Sequence, residues 1–114
     1  MKRDFSVFPD DPNGNSLWKM AEEGDNLAVA REIDFILVFK NEENALNFGK
    51  TLLFNRQKVS MADHEDDKEF PFAIYVHAYL TPNYTEIGEY EALLLEAATP
   101  FDGVFDGWAC FPAG

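Results

Sequence analysis

Apolar and polar side chains alternate strictly from Arg31 onward. The positions on one face are Ile33, Phe35, Leu37 and Phe39, and those on the other are Glu32, Asp34, Ile36, Val38 and Lys40. Because successive side chains of a strand point to opposite faces, this period of two predicts a strand with its first face buried. Two apolar residues on the second face, Ile36 and Val38, indicate that the strand is central in its sheet or that another element covers that face.

A second alternation, between residues 70 and 80, predicts the clearest strand of the chain. One face holds Phe70, Phe72, Ile74, Val76, Ala78 and Leu80, and the other holds Pro71, Ala73, Tyr75, His77 and Tyr79. Shorter strands are predicted at 58–62 and at about 104–111. The charged segment 63–69 predicts a hairpin loop between two of these strands.

Apolar residues at helical spacing follow the first strand. Asn41 is a favourable N-cap, and Glu42 and Glu43 come next, in the first turn, where the helix dipole favours negative charge. The apolar stripe behind them predicts a helix that runs to about Arg56.

Two further helices are predicted. One begins near Tyr84, where the preceding Thr81-Pro82-Asn83 can cap it. It ends before Pro100, because proline cannot continue a helix. The other is short, spans 17–23 and is capped by Asn15 or Ser16, both of which are favourable N-cap residues.

The order of elements from Arg31 is therefore strand, helix, strand, strand, helix, strand. With right-handed crossovers, this order predicts an α+β fold of the ferredoxin-like βαββαβ type. It is a four-stranded antiparallel sheet with both helices on one face, preceded by the short N-terminal helix. The length of 114 residues fits one domain, with a lead-in at 1–29 and the ferredoxin-like core at 30–114.

Charge narrows the possible partners. The chain has 9 Lys and Arg against 21 Asp and Glu, a net charge of −12. Such a domain repels nucleic acids and anionic membranes at long range, so we expect neither as a direct partner. A basic protein segment is favoured, although acidity also serves solubility alone.

The single cysteine, Cys110, excludes a disulfide within the chain and is typical of a reducing compartment. Residues 1–6 have a charged start without the apolar run of a signal peptide, and no stretch is long and apolar enough to span a bilayer. We therefore expect a cytoplasmic protein.

Catalytic and metal-binding patterns are weak. The acidic run Asp63–Asp67 is typical of a solvated loop, because neighbouring loop carboxylates do not converge on one ion. Cys110 and His77 have no third orienting residue and no glycine-rich oxyanion loop. We expect no catalytic residue, cofactor or metal.

An alternative function is a small-molecule-binding or hydrolytic domain with its site near Trp108, His77 and Cys110.

Two features indicate a surface for a protein partner. The segment 102–108 contains two Asp-Gly pairs, in which Gly103 suits a turn and Gly107 suits a bulge or a close approach of backbone. Trp108 beside Asp106 is a candidate anchor for a cationic ligand. The candidate partner-binding residues are Asp106, Trp108, Glu65, Asp66, Asp67, Glu86, Glu89, Tyr75 and Tyr79.

The row Tyr75, His77 and Tyr79 forms an exposed aromatic surface if both helices cover the opposite face, unless the lead-in covers the row. Aromatic rows on this topology also stack single-stranded RNA. Their predicted neighbours Glu32 and Asp34 are acidic, which argues against RNA and favours a protein interface.

The C-terminal segment Phe105-Asp106-Gly107-Trp108 closely resembles the Tyr-Asp-Gly-Trp signature of the bacterial ribonuclease E inhibitor B family (regulator of ribonuclease activity B). The run 11–17 is similar to that family's Asp-x-x-Gly-x-x-Leu motif, and the resemblance includes 31–35 and 45–54.

This resemblance implies a ferredoxin-like α+β domain without catalytic activity. It implies an acidic cytoplasmic protein that binds the endoribonuclease, through the enzyme's basic scaffold region, and lowers its activity on transcripts. Better-known members also have an extra N-terminal helix and a long acidic C-terminal tail, whereas this sequence stops at Gly114.

Overall fold

The computed structural model describes residues 2–63 and 67–113. The helices are α1 Pro12–Glu22, α2 Glu42–Phe54 and α3 Tyr84–Ala98, and a 3₁₀ turn, Thr99–Phe101, follows α3. The strands are β1 Arg31–Phe39, β2 Lys58–Asp63, β3 Phe72–Leu80 and β4 Val104–Ala109. Within these ranges, none of the helices combines the length and hydrophobicity that crossing a bilayer requires.

The four strands form one antiparallel sheet in the order β2-β3-β1-β4. Strand β1 pairs with β3 on one side and with β4 on the other, so the central position indicated by Ile36 and Val38 is confirmed. Helices α2 and α3 pack on the same face of this sheet. The predicted ferredoxin-like α+β fold is therefore confirmed, including the preceding helix.

The hydrophobic core lies between the apolar face of β1 and the helices. Its buried members include Ile33, Phe35, Leu37, Phe39, Phe48, Leu52, Ile87 and Leu94. The rings of Phe35 and Tyr90 stack with centroids 4.9 Å apart, and those of Phe39 and Phe48 tilt at 5.2 Å. Because aromatic rings bury large apolar areas, these contacts join each helix firmly to the sheet.

The predicted caps of the two long helices are confirmed. The Oδ1 of Asn41 accepts the N–H of Asn44 at 2.8 Å, and the Oδ1 of Asn83 accepts the N–H of Glu86 at 2.8 Å. Each bond satisfies a backbone donor that has no partner within its own helix.

The predicted start of the N-terminal helix is wrong. Helix α1 begins at Pro12, and its N-cap is Asp11, whose Oδ1 accepts the N–H of Gly14 at 2.8 Å. Proline is favourable as the first helical residue, since the N–H that it lacks has no helical partner there. The Asn13-Gly14 pair resembles a turn in the sequence, but it lies in the first helical turn.

Helix α1 packs on the helix side of the sheet. The Nδ2 of Asn13 donates to the Oε2 of Glu91 in α3 at 3.0 Å, and the buried Leu17 joins the core. The lead-in therefore does not cover the tyrosine row at Tyr79, whose side chain is 77% exposed.

A β-bulge interrupts the pairing of β4 with β1. Ile36 pairs with Gly107 and Leu37 with Phe105, so Asp106 is the extra residue. Gly107 has a φ of +123°, which confirms its predicted place in a bulge.

The turn predicted at Gly103 is present, and the N–H of Gly103 donates to the backbone oxygen of Ala98 at 3.1 Å. The left-handed turn conformation belongs to Asp102, with a φ of +56°. Gly103 is also required by its surroundings, because a Cβ there would lie 2.6 Å from the ring of Phe39.

Candidate partner-binding surface

The sheet face opposite the helices carries a polar surface, which we call the open face. It is formed by side chains from the three strands β1, β2 and β3: Glu32, Asp34, Lys58, Ser60, Tyr75, His77 and Tyr79. The strand register aligns them, since Tyr79 lies opposite Glu32, and His77 lies opposite Asp34 on one side and Lys58 on the other.

Four of these side chains contact one another around His77. Its Nδ1 lies 2.6 Å from the Oδ1 of Asp34 and 3.5 Å from the Oε1 of Glu32. Its Nε2 lies 2.8 Å from the Oγ of Ser60. We call Glu32, Asp34 and His77 the carboxylate–histidine cluster. The Nζ of Lys58 lies 3.2 Å from the Oε2 of Glu32, at the edge of the cluster.

Aromatic rings flank the two carboxylates of this cluster. On the β3 side lies Tyr79, directly across from Glu32. On the β4 side, a shallow depression lined by both carboxylates includes Phe111, whose side chain is 88% exposed. Tyr75 is half-buried and belongs to the same face. Such a surface suits a guanidinium or ammonium group, because the rings and the carboxylates both attract a cation.

Asp106 and Trp108 have different surroundings. The indole of Trp108 packs against the core, and its Nε1 donates to the Oδ1 of Asn13 at 2.9 Å. Trp108 pairs with Phe35 of β1, whose side chain faces the helices. Trp108 therefore joins β4 to α1, while Asp106 is exposed in the bulge.

Glu86 and Glu89 lie on a third part of the surface. Both are exposed on α3, on the helix side of the sheet. The Oε2 of Glu86 also accepts a hydrogen bond from the Nδ2 of Asn83 at the start of the helix. The sheet separates these glutamates from Tyr75 and Tyr79, so the predicted site residues do not form one continuous patch.

Only part of the predicted acidic loop can be placed. Glu65 and Asp66 lie outside the described residues. The Oδ1 of Asp67 accepts the N–H groups of Glu69 at 3.0 Å and Phe70 at 3.1 Å. Asp67 thus stabilises the turn that leads into β3.

The residues of the alternative small-molecule site, Trp108, His77 and Cys110, do not all lie on one side of the sheet. Trp108 packs on the helix side and His77 lies on the open face, so the sheet is between them. Burial raises the pKa of the Cys110 thiol above its ordinary value, and the nearby Arg31 only partly opposes this. A raised pKa leaves less of the nucleophilic thiolate.

A protein-family model matches most of the chain. Residues 10–110 match the profile of the family described as Regulator of ribonuclease activity B. The chain belongs to this family. The matched region runs from just before α1 to just after β4, so it includes every helix and strand described above. A comparison with curated proteins found no match.

Family membership confirms the resemblance seen in the short sequence motifs, and it associates the chain with the regulation of ribonuclease activity. The approach of Glu32 and Asp34 to His77 was only partly predicted. The sequence indicated that they are neighbours in the sheet. Their contact depends on the register of β1 against β3, and the sequence signal for that register was the matching alternation in these two strands.

Proposed function

We propose that this protein regulates a ribonuclease by binding a basic segment of that enzyme, without catalysing a reaction itself. Residues 1–114 act as one domain in this proposal, in the cytoplasm of a bacterium. The family supports the target class, and the net charge of −12 supports the polarity of the partner. The observation that carries the proposal is the pair of carboxylates, Glu32 and Asp34, set between the exposed rings of Tyr79 and Phe111.

This arrangement suits an arginine side chain. A guanidinium can stack on the face of Tyr79 while it donates two hydrogen bonds to the carboxylate of Glu32. Lys58 already contacts that carboxylate, but the pair is largely exposed, with side chains 69% and 48% accessible. Exposed ion pairs contribute little free energy, so an incoming arginine can displace Lys58 at small cost.

The remaining predicted residues have a second role in this proposal. Asp106, Glu86, Glu89 and the acidic loop at 65–67 lie away from the open face or outside the described residues. We assign them to long-range attraction, which raises the rate of association more than the final affinity. We expect no direct binding of RNA, because the same carboxylates would repel its phosphates.

Fluorescence anisotropy tests this proposal with a labelled arginine-rich peptide from the basic scaffold region of ribonuclease E. We expect the dissociation constant to rise about tenfold or more between 50 and 300 mM salt, since exposed charges are screened. Glu32→Gln and Tyr79→Ala should each weaken binding about fivefold, in the range of a single interface contact. The same variants should relieve inhibition of the ribonuclease on a transcript.

The matched control is Glu89→Gln, which removes the same charge from the helix side. Equal losses from Glu32→Gln and Glu89→Gln would show that only net charge matters and would refute the open face as the contact surface. Affinity that does not change with salt would refute the charge mechanism. Single-stranded RNA that binds more tightly than the peptide would refute the choice of partner.

A further inference from the structure

Three side chains of the open face bring metal-binding atoms together. In the carboxylate–histidine cluster, a carboxylate oxygen of Glu32, a carboxylate oxygen of Asp34 and a ring nitrogen of His77 all lie within 4.8 Å of one another. Imidazole nitrogens and carboxylate oxygens are both ligands that divalent transition metals accept.

The cluster is built on rigid backbone. Glu32 and Asp34 are two residues apart on β1 and therefore point to the same face. His77 lies directly across from Asp34 on β3. Strands β1 and β3 are the two inner strands of the sheet, and each is hydrogen-bonded on both sides. Ligands on such strands are held more closely in place than ligands on a loop.

The distances are close to those that zinc requires. With bonds of about 2.1 Å, neighbouring ligand atoms of a tetrahedral site are about 3.4 Å apart. The separation of 3.5 Å between the Nδ1 of His77 and the Oε1 of Glu32 already fits this value. The 2.6 Å contact between that Nδ1 and the Oδ1 of Asp34 must open by roughly 0.8 Å, which a small rotation of the aspartate side chain provides.

Ser60 allows the histidine to serve as a ligand. A carboxylate only accepts hydrogen bonds, so at 2.6 Å from Asp34 the Nδ1 of His77 carries a proton. When a metal takes that position, the proton must be on Nε2, which lies 2.8 Å from the Oγ of Ser60. A hydroxyl both donates and accepts, so Ser60 pairs with Nε2 in either tautomer. An outer hydrogen bond of this kind orients most metal-binding histidines.

We propose that Glu32, Asp34 and His77 bind a divalent transition-metal ion, of which Zn²⁺ fits best. The imidazole favours Zn²⁺ over Mg²⁺ and Ca²⁺, which prefer six or more oxygen ligands. The side chains of Glu32 and Asp34 are 48% and 38% exposed, so the ion can enter and its fourth position faces solvent. This proposal does not rest on the proposed function, but both use Glu32, so a bound ion and an arginine of the partner would compete for that carboxylate.

Lys58 predicts how the affinity can be changed. Its ammonium group lies beside the Oε2 of Glu32 and repels a metal ion at the cluster. Replacing it by an uncharged side chain of similar length, Lys58→Met, should therefore tighten Zn²⁺ binding severalfold. If Zn²⁺ bound elsewhere on the surface, Lys58→Met would remove only one distant positive charge, and the affinity should hardly change.

Isothermal titration of the full chain with ZnCl₂ tests the proposal, with MgCl₂ as the comparison ion. We expect one ion per chain, a micromolar or lower dissociation constant, and no binding of Mg²⁺ in the same range. His77→Ala and Asp34→Asn should each weaken binding at least about tenfold. Asp34→Asn keeps the shape of the side chain, so this variant still tests the proposed site if His77→Ala does not fold.

His64→Ala is the control. The proposed site does not include this second histidine of the sequence, so the variant should leave the affinity unchanged. Loss of binding in His64→Ala with retention in His77→Ala would overturn the proposal, as would binding of Zn²⁺ only at millimolar concentration. The titration contains no partner protein. Its failure would leave the ribonuclease proposal intact, and loss of peptide binding would leave the metal site intact.

Discussion

Arg31, the first residue of β1, and Asp25, in the segment before it, form an ion pair that is almost fully enclosed. The Nη1 of Arg31 donates to the Oδ2 of Asp25 at 2.8 Å, and the two side chains are 10% and 2% exposed. The same guanidinium donates to the backbone oxygens of Asn26 at 2.8 Å and Phe111 at 3.2 Å. One side chain thus joins the start of the sheet to the segment that follows β4.

Asp25→Asn should destabilise the fold, because it leaves the guanidinium of Arg31 enclosed without its counter-charge. Breaking one partner of a buried pair costs about 3 kcal/mol in free energy of unfolding. Urea denaturation followed by circular dichroism measures the loss. Asp10→Asn, at an exposed position, is the control and should change stability by less than about 0.5 kcal/mol. Equal stability of the two variants would contradict the role of the pair.

The same pair predicts a dependence of stability on pH. The hydrogen bond from Arg31 lowers the pKa of Asp25 below its ordinary value of 3.8, although burial opposes this. A lowered pKa in the folded state means that the stabilisation is complete above the ordinary pKa and is lost as pH falls below it. The difference in unfolding free energy between wild type and Asp25→Asn should therefore be constant from pH 7 to about 5 and shrink below about pH 4. A difference that grows on acidification would contradict this sign.

Gly14→Ala should destabilise α1. Gly14 is buried, and a Cβ there would collide with the carbonyl oxygen of Pro9. Forcing extra atoms into such a contact costs about 1–3 kcal/mol. Gly88→Ala is the matched control, because it lies in α3 with no atom within 4 Å of the new Cβ. Since alanine favours helix more than glycine does, Gly88→Ala should raise stability by up to about 1 kcal/mol. Thermal unfolding measures both melting temperatures. Shifts of the same sign in the two variants would contradict the prediction.

Tyr79→Ala and Trp108→Ala should separate a binding role from a structural one. Tyr79 is 77% exposed, so its removal should change unfolding free energy by less than about 0.5 kcal/mol. Trp108 packs on the core and bonds to Asn13, so its removal should cost about 3 kcal/mol. Chemical denaturation checks both values. A Trp108→Ala variant as stable as wild type would contradict the structural role and favour the indole as a surface anchor for a partner.

Cys110 should react slowly with thiol reagents in the folded protein. Burial raises the pKa of its thiol, so less thiolate is present at a given pH than in an unfolded chain. The rate of reaction with a disulfide reagent at pH 8 should rise when urea unfolds the protein, and the folded protein's rate should still be increasing above pH 9. Because there is one cysteine, the signal has one source. A folded rate equal to the unfolded rate would contradict the burial of this thiol.

Local chemistry explains the elements that the sequence predicted well. The alternation in β1 and β3 and the asparagine caps Asn41 and Asn83 act within a few residues, so the sequence contains all the information that they need. The start of α1 was missed because Asn13-Gly14 is typical of a turn. The absence of a Cβ at Gly14 serves a contact with Pro9 instead, and a pattern of residue types does not show which of the two applies.

The candidate site depended on longer-range information. The sequence singled out Trp108 as an anchor, but its indole N–H is bonded to Asn13, which is 95 positions away. Tyr75 and Tyr79 were predicted to be exposed together, and the structure places both on the open face, half-buried and exposed respectively. Their separation from Glu86 and Glu89 followed only from the position of α3 on the other side of the sheet.

By itself, the sequence determined the strands, the long helices, their order and the net negative charge, because periodicity, caps and composition are local or additive properties. Only the tertiary structure decided that Glu32 and Asp34 meet His77 and lie between Tyr79 and Phe111. Contacts between strands depend on register, and a shift of β1 by one residue would turn Glu32 and Asp34 toward the core. That register is maintained by the packing of the whole sheet against α2 and α3.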